Sequence, residues 1–409
     1  MLLKNVRIEN AAESTDLRIE DGFIAAIGRD IPPRGGEDVV DGGGRLALPP
    51  FAEPHVHLDT CLTLPAAGVN ESGTLLEGIR LWGDYRRGIT REELRERAAR
   101  TVRLYAANGV QLIRSHVDIT SGLENLEVLL ALREELRDLA DIQLVAFPQD
   151  GILSSAGAKE RLETALRLGA DAIGAIPHFE FTREYGVESL EYVMALAEKT
   201  GKLVDVHCDE TDDEQSRFLE TLAAAAYRHG LGGRVTASHT TAMHSYNDAY
   251  CAKLFRLLAL SGINFVSNPL VNVTLQGRFD GYPRRRGITR IKELLAAGMN
   301  VCLGHDDMAD PFYPLGNANM LDVLWMGLHL AQMMGHAELM DSYRLITVNG
   351  AGTMCLAENY GIAAGKPASL VLLDAPDFLT ALRERARVVF SLRKGRCLRN
   401  DIDRGTTIK

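Results

Sequence analysis

The stretch Pro49–Thr60, PPFAEPHVHLDT, reads as a short apolar strand running into two histidines, His55 and His57. Side chains two apart on a strand share a face, so both imidazoles can point at one ion. An isolated H-x-H carries little information, because most buried histidines are hydrogen-bonded core residues. The weight comes from three residues further along the chain. His207 closes an apolar run in LVDVHCDE, His239 closes another in VTASHTTAMH, and Asp306 closes a third in NVCLGHDDMADP. Metal-type side chains at the ends of successive strands meet at one mouth only if those strands form a barrel.

The spacing of the apolar runs supports that arrangement. Strands are expected near 47–53, 111–117, 142–147, 171–176, 203–207, 234–238, 263–267 and 299–304. From the second onward they recur about every 30 residues, the size of a βαβ unit. Helical segments are expected between them, at Glu92–Asn108, Leu123–Asp138, Ala158–Leu168, Val187–Thr200, Glu214–His229, Tyr246–Leu260 and Thr289–Ala297. Eight parallel strands with right-handed crossovers define the α/β class and a (β/α)8 TIM barrel. Short strands precede the barrel, with Gly42-Gly43-Gly44 as punctuation before Leu46–Pro50, and the segments GIAAGKPASLVLLD and RVVFSLRKGRCLRN come after it. The expected organisation is a small β-sandwich domain built from both chain ends, residues 1–48 and 359–409, around a catalytic barrel at 49–358. The connection 58–90 is long and glycine-rich, which suits a lid.

Composition narrows the function classes. Of 409 residues, 46% are apolar and 24% charged, as in a folded globular protein. The net charge of −10 argues against a nucleic-acid partner. The cluster Arg284-Arg285-Arg286 is expected to be a solvated loop or a subunit contact. The six cysteines are dispersed with no C-x-x-C pair, and no segment is apolar enough for a signal sequence or a membrane span. A cytoplasmic setting with no membrane partner is the expectation.

The remaining candidates divide by position. Alternation lets only one of His305 and Asp306 face inward; Asp306 is the better choice, with His305 as packing or support. His116 and His178 end the second and fourth strands and could line the pocket, whereas His244 lies beyond the sixth. His229, His329 and His336 read as structural. His336-Ala337-Glu338 matches the H-x-E of nucleobase deaminases of another fold, but the chain has no P-C-x-x-C after it. Binuclear barrel enzymes of this pattern carry a bridging lysine at the fourth strand end. No lysine lies between Lys159 and Lys199, so one ion is expected.

These segments resemble the cytosine deaminases of the amidohydrolase superfamily over nearly the whole chain. The resemblance is carried by PPFAEPHVHLDT, SGTLLEGI, VAFPQDGILS, GAIPHFEFTREYGVESL, VDVHCDETDDEQSRF, TASHTTAMHSY, NPLVN, LQGRFD and GHDDMADPFYPLGNANML. It implies hydrolytic deamination of free cytosine to uracil and ammonia, with a small nucleobase as partner and a homo-oligomeric assembly. It further implies one divalent ion, iron(II) or zinc with manganese also suitable, on His55, His57, His207 and Asp306. Glu210, His239 and Asp306 would be catalytic, Glu210 as the proton shuttle to N3 and Asp306 with His239 orienting the water and receiving its proton. Gln149, Asp307, Leu75 and Phe312 would contact substrate. Asp307 near C5 would favour cytosine over 5-methylcytosine. Two local departures bear on preference: the segment CLTLPAAGVNESG is more apolar than the family pattern, and Phe312 stands where a tryptophan is usual.

Overall fold

The computed structural model describes residues 1–402, and two sheets organise them. Strands β1 (Leu2–Ile8), β2 (Thr15–Glu20), β3 (Phe23–Gly28) and β4 (Val39–Leu48) open the chain. The barrel comes next, with β5 (Phe51–Val56), β6 (Val110–Asp118), β7 (Asp141–Phe147) and β8 (Ala172–Ala175). It is completed by β9 (Leu203–Cys208), β10 (Val235–His239), β11 (Asn264–Ser267) and β12 (Val301–Leu303). Strands β13 (Leu370–Leu373), β14 (Val388–Arg393) and β15 (Arg396–Asn400) end the chain.

Strands β5 to β12 pair in chain order, and every neighbouring pair is parallel. Each is almost wholly buried, as strands covered on both faces must be. Val56 bridges Asp306 just past β12, and this parallel bridge closes the ring. The expected barrel is therefore the observed one. Most strand boundaries fall within a residue or two of expectation, because short apolar runs between glycines leave little choice of length.

The other sheet has seven strands in the order β15-β14-β13-β4-β1-β2-β3. Only β1 and β4 run parallel; the remaining pairs are antiparallel. Phe23 also bridges Pro367, so the sheet curls over a core of Leu3, Leu17, Ile24, Leu370, Leu372 and Phe390. Gln111 Nε2 donates to Leu392 O at 3.0 Å, and Arg393 pairs with Asp141 at 2.8 Å, tying this domain to the base of the barrel. Residues 403–409 of the expected C-terminal segment lie outside the described residues.

Three local expectations need correction. The Gly42–Gly44 run does not interrupt a strand; β4 passes straight through it. A Cβ on Gly42 would fall 2.3 Å from Val6 Cγ1, and Gly43 and Gly44 take φ of 63° and 73°. Glycine there lets β4 bulge past β1, where the register shifts between Lys4 and Val6. The true break is Pro49-Pro50, which donate no ladder hydrogen bonds, so the expected strand at 47–53 spans the end of β4 and the start of β5. The long connection after β5 also contains a helix, Leu75–Tyr85, N-capped by Thr74, whose hydroxyl accepts from Glu77 N. Among the described residues, no helix is long and apolar enough to cross a membrane.

Candidate active site

The barrel seam builds the centre of the site. Asp306 N donates to His55 O at 2.9 Å, and His57 N donates to Asp306 O at 3.1 Å. This pairing sets an Asp306 carboxylate oxygen 3.4 Å from His55 Nε2 and 3.5 Å from His57 Nε2. His207 comes from β9, with its Nε2 3.1 Å from His57 Nε2. His239 closes β10, its Nδ1 3.3 Å from Glu210 Oε1 and 3.8 Å from Asp306 Oδ2. All six side chains are buried.

The backbone is held away from its preferred regions at this point. His239 has φ of 68° and Asp306 of 72°, conformations that L-residues adopt at a cost of about 1–3 kcal/mol each. Thr240, at φ of 47°, is fixed by its own N–H to Cys208 O at 2.9 Å and its hydroxyl to Thr289 Oγ1 at 2.7 Å. A surrounding network over-determines the strained turn, as functional sites commonly require.

The donors fit a divalent cation. His55, His57 and Asp306 place ligand atoms within 4.8 Å of one another, as do His55, His116 and His207. Within the site, His55 Nε2, His207 Nδ1 and His239 Nε2 are buried without hydrogen-bond partners. Burial first, then neighbouring imidazoles, hold His55, His57, His207 and His239 well below the usual histidine range. They are neutral, the form that offers a lone pair to a metal. Burial, followed by Glu210, Asp310 and Glu53, pushes the Asp306 carboxyl far above its ordinary value. A cation relieves that penalty.

Contacts behind the rings fix their tautomers. Ser238 Oγ donates to Asp205 Oδ1 at 2.6 Å, so it accepts from His55 Nδ1 at 2.9 Å. The proton therefore sits on Nδ1, leaving the His55 Nε2 lone pair for a metal. Asp205 is in turn paired with Arg114 at 3.0 Å. Asn272 Oδ1 accepts from Asn268 N at 3.2 Å, which turns its amide nitrogen toward His239 Nδ1 at 3.0 Å. His239 then carries its proton on Nε2.

A narrow pocket opens over these groups. Gln149, Glu210 and Asp307 supply polar wall, and Leu75, Leu275 and Phe312 supply an apolar one. Phe147 stacks on His207 at 4.0 Å and 14°. Burial pushes Glu210 up to about 8, so near neutral pH it holds a proton. Asp307 accepts from Thr60 Oγ1, which also reaches Asp310 Oδ2 at 3.2 Å. The Leu75–Tyr85 helix covers this side. Its Trp82 Nε1 donates to Asp118 Oδ2 at 2.9 Å, while Arg86 pairs with Asp118 and, at 2.7 Å, with Asp150.

The site thus brings together all ten residues singled out in the sequence: His55 beneath the pocket and the other nine on its walls. His116 packs on His55 at 4.0 Å and His178 is half-buried with both ring nitrogens covered, and neither lines the pocket. His305 receives Asn317 N at its Nε2 and so donates Nδ1–H to Asp307 O at 3.0 Å, a supporting role. His244 lies in a separate cavity with Arg286, Arg290 and Lys292. In the arginine cluster Arg284 and Arg286 are exposed, as expected of a solvated loop, while Arg285 is clamped by Asp280 and Asp212. Sequence reasoning missed Arg114, Asp205, Ser238, Asn268, Asn272 and Leu275. One signal was present: Glu53, Arg114 and Asp205 each precede a strand-end histidine by two residues and so share its face.

A closed barrel with such donors at its strand ends belongs to a class of hydrolases that work with a bound divalent ion. The chain belongs to the amidohydrolase family, whose model matches residues 85–399. It is 30% identical over 400 residues to a pterin deaminase of Rhizobium rhizogenes, covering 94% of this chain and 87% of that protein. It is 27% identical over 376 residues to an N-isopropylammelide isopropyl amidohydrolase of Pseudomonas, with 89% of each covered. Among solved structures it is similar to a Klebsiella pneumoniae 5-methylcytosine deaminase liganded with 5-fluorocytosine. That match has 48% identity and a TM-score of 0.95, covering 98% of this chain and 97% of the other.

Proposed function

We propose that the protein hydrolytically deaminates free cytosine-type bases, converting cytosine to uracil and 5-methylcytosine to thymine with release of ammonia. The observation that carries this reading is Glu210, a buried carboxyl raised to about 8, beside His239 and Asp306 in the wall of a pocket with one amide edge and one apolar side. The 48% identity to a 5-methylcytosine deaminase over nearly the full chain supports the substrate class.

His55, His57, His207 and Asp306 would hold one divalent ion, and iron(II), zinc and manganese all suit imidazole and carboxylate donors. Bound there, such an ion supplies a water of lowered pKa as nucleophile. Gln149 offers donor and acceptor to the pyrimidine edge. Glu210 gives its proton to N3, making C4 electrophilic. His239, with hydrogen on Nε2, donates to and orients the attacking water, while Asp306 accepts its proton. Of the two water protons, one ends on N3 and the other on the departing nitrogen. The C4–O bond forms, the C4–N bond breaks, and ammonia leaves.

Asp307 alone would disfavour a 5-methyl group. The apolar wall weighs the other way: Leu75, Leu275 and Phe312 form the side that suits the C5–C6 edge, and Phe312 is smaller than the family's tryptophan. Burying one methyl there stabilises by about 0.8 kcal/mol, roughly fourfold in affinity. The test is ammonia release from cytosine, 5-methylcytosine, isocytosine, creatinine and pterin, with metal-free protein reloaded separately with iron(II), zinc and manganese. Turnover of the two cytosines is the expected outcome; failure on both under every metal overturns the proposal.

A further inference from the structure

Past β8 the chain turns through Pro177–Phe179 to Glu180, a buried carboxylate outside the pocket. Its Oε1 accepts from Ile152 N at 2.6 Å and Leu153 N at 3.2 Å. Its Oε2 accepts from Ser154 N at 2.8 Å and Ser154 Oγ at 2.7 Å. Ser154 Oγ in turn accepts from Phe181 N at 2.8 Å, locking the two segments together. Three successive amides around one carboxylate form an anion nest, here filled by the protein's own side chain. The nest lies in the loop after β7 that carries Gln149.

A second observation points to the same contact. Gly151 adopts φ of 88°, and a Cβ there would stand 2.7 Å from Glu180 Oε2. The loop is therefore drawn against the carboxylate closely enough to need glycine. On its other flank Asp150 is held by Arg86 and by Thr120 Oγ1 at 3.3 Å from its amide. Gln149 sits on a loop pinned from both sides.

We propose that Glu180 is a positioning residue for substrate binding, fixing the loop that presents the Gln149 amide to the base. The inference rests on the reading that Gln149 binds a pyrimidine edge. A group that acts only through the placement of another changes affinity more than chemistry, and a displacement of about 1 Å costs up to roughly a hundredfold. Glu180→Ala is therefore expected to raise KM for cytosine and 5-methylcytosine roughly tenfold or more, with kcat within about threefold. Glu180→Gln, which keeps one acceptor oxygen, recovers part of the loss.

The deciding experiment is a double-mutant cycle with Gln149→Ala, run alongside amide hydrogen exchange at Ile152, Leu153 and Ser154. Faster exchange in Glu180→Ala, with no further KM penalty when Gln149 is already alanine, is the expected result. Unchanged exchange, or the same KM penalty in both backgrounds, overturns the proposal. Should Glu180→Ala fail to fold, Gly151→Ala probes the same contact from the loop side with the same readouts. If the wild-type protein releases no ammonia from either base, the functional reading falls, and hydrogen exchange alone decides whether Glu180 anchors the loop.

Discussion

Glu210 is the residue whose chemistry and environment agree most closely. Burial keeps it protonated near neutral pH, as the proposed donor to N3 must be, and it lies outside the donor set proposed for the ion. Glu210→Gln should lower kcat about 10²- to 10⁴-fold. Metal content, measured by atomic emission, should stay the same; loss of the ion would give Glu210 a ligand role instead. His178 gives a separate pH prediction. Burial lowers it from 6.5 to about 4, so between those values the unfolded chain binds a proton that the folded chain refuses. Its contribution is full above about 6.5 and is lost as pH falls toward 4. The melting-temperature gap between wild type and His178→Asn should therefore narrow from pH 7 to pH 5, and a constant gap would refute this. At this scale the sequence was legible where residue type carries the chemistry, as at His55 or Asp306. It was silent on Ser238 and Asn272, ordinary polar residues whose importance comes from partners supplied by other strands.

Elements were legible in proportion to how local their causes are. Barrel strands are short apolar runs between turn residues, and that pattern is readable without knowing their neighbours. The Leu75–Tyr85 helix was read as loop because its glycines look like punctuation. Gly78 in fact answers a tertiary demand: a Cβ there would lie 2.7 Å from the Phe312 ring. In Gly78→Ala, intrinsic helix propensity improves by about 1 kcal/mol, yet the ring must move. Displaced toward the pocket, Phe312 should cut kcat/KM for 5-methylcytosine roughly tenfold more than for cytosine, with little change in melting temperature. An equal loss on both bases would place the apolar wall elsewhere than against C5. The helix Phe218–His229 offers the opposite lesson. It starts later than the Glu214 expectation because buried Asp209 accepts from Phe218 N at 3.0 Å and Leu219 N at 2.8 Å.

For the whole molecule, the barrel and the joining of both chain ends in one β domain could be read from the sequence, but not what fills the barrel's centre. Arg114 lies buried there, donating to Asp205, Thr236 Oγ1, Gln143 Oε1 and Thr353 O. Asp205 stays below the usual carboxylate range despite burial, because His116 and Arg114 offset the desolvation. Arg114→Met strips that charge of its guanidinium partner and should cost about 3–5 kcal/mol in urea denaturation. Restoring neutrality with Asp205→Asn in the same chain should recover part of it. The seam between β5 and β12 has a consequence in time. His55 and His57 leave the ribosome about 250 residues before Asp306, so a growing chain lacks the last of the proposed ligands through most of its synthesis. Only when β12 arrives do the ring and the proposed ligand set become complete together. On the proposed ligand set, ring closure and metal capture would be one event, and an ion gained at that moment would work as a clasp on a finished hoop.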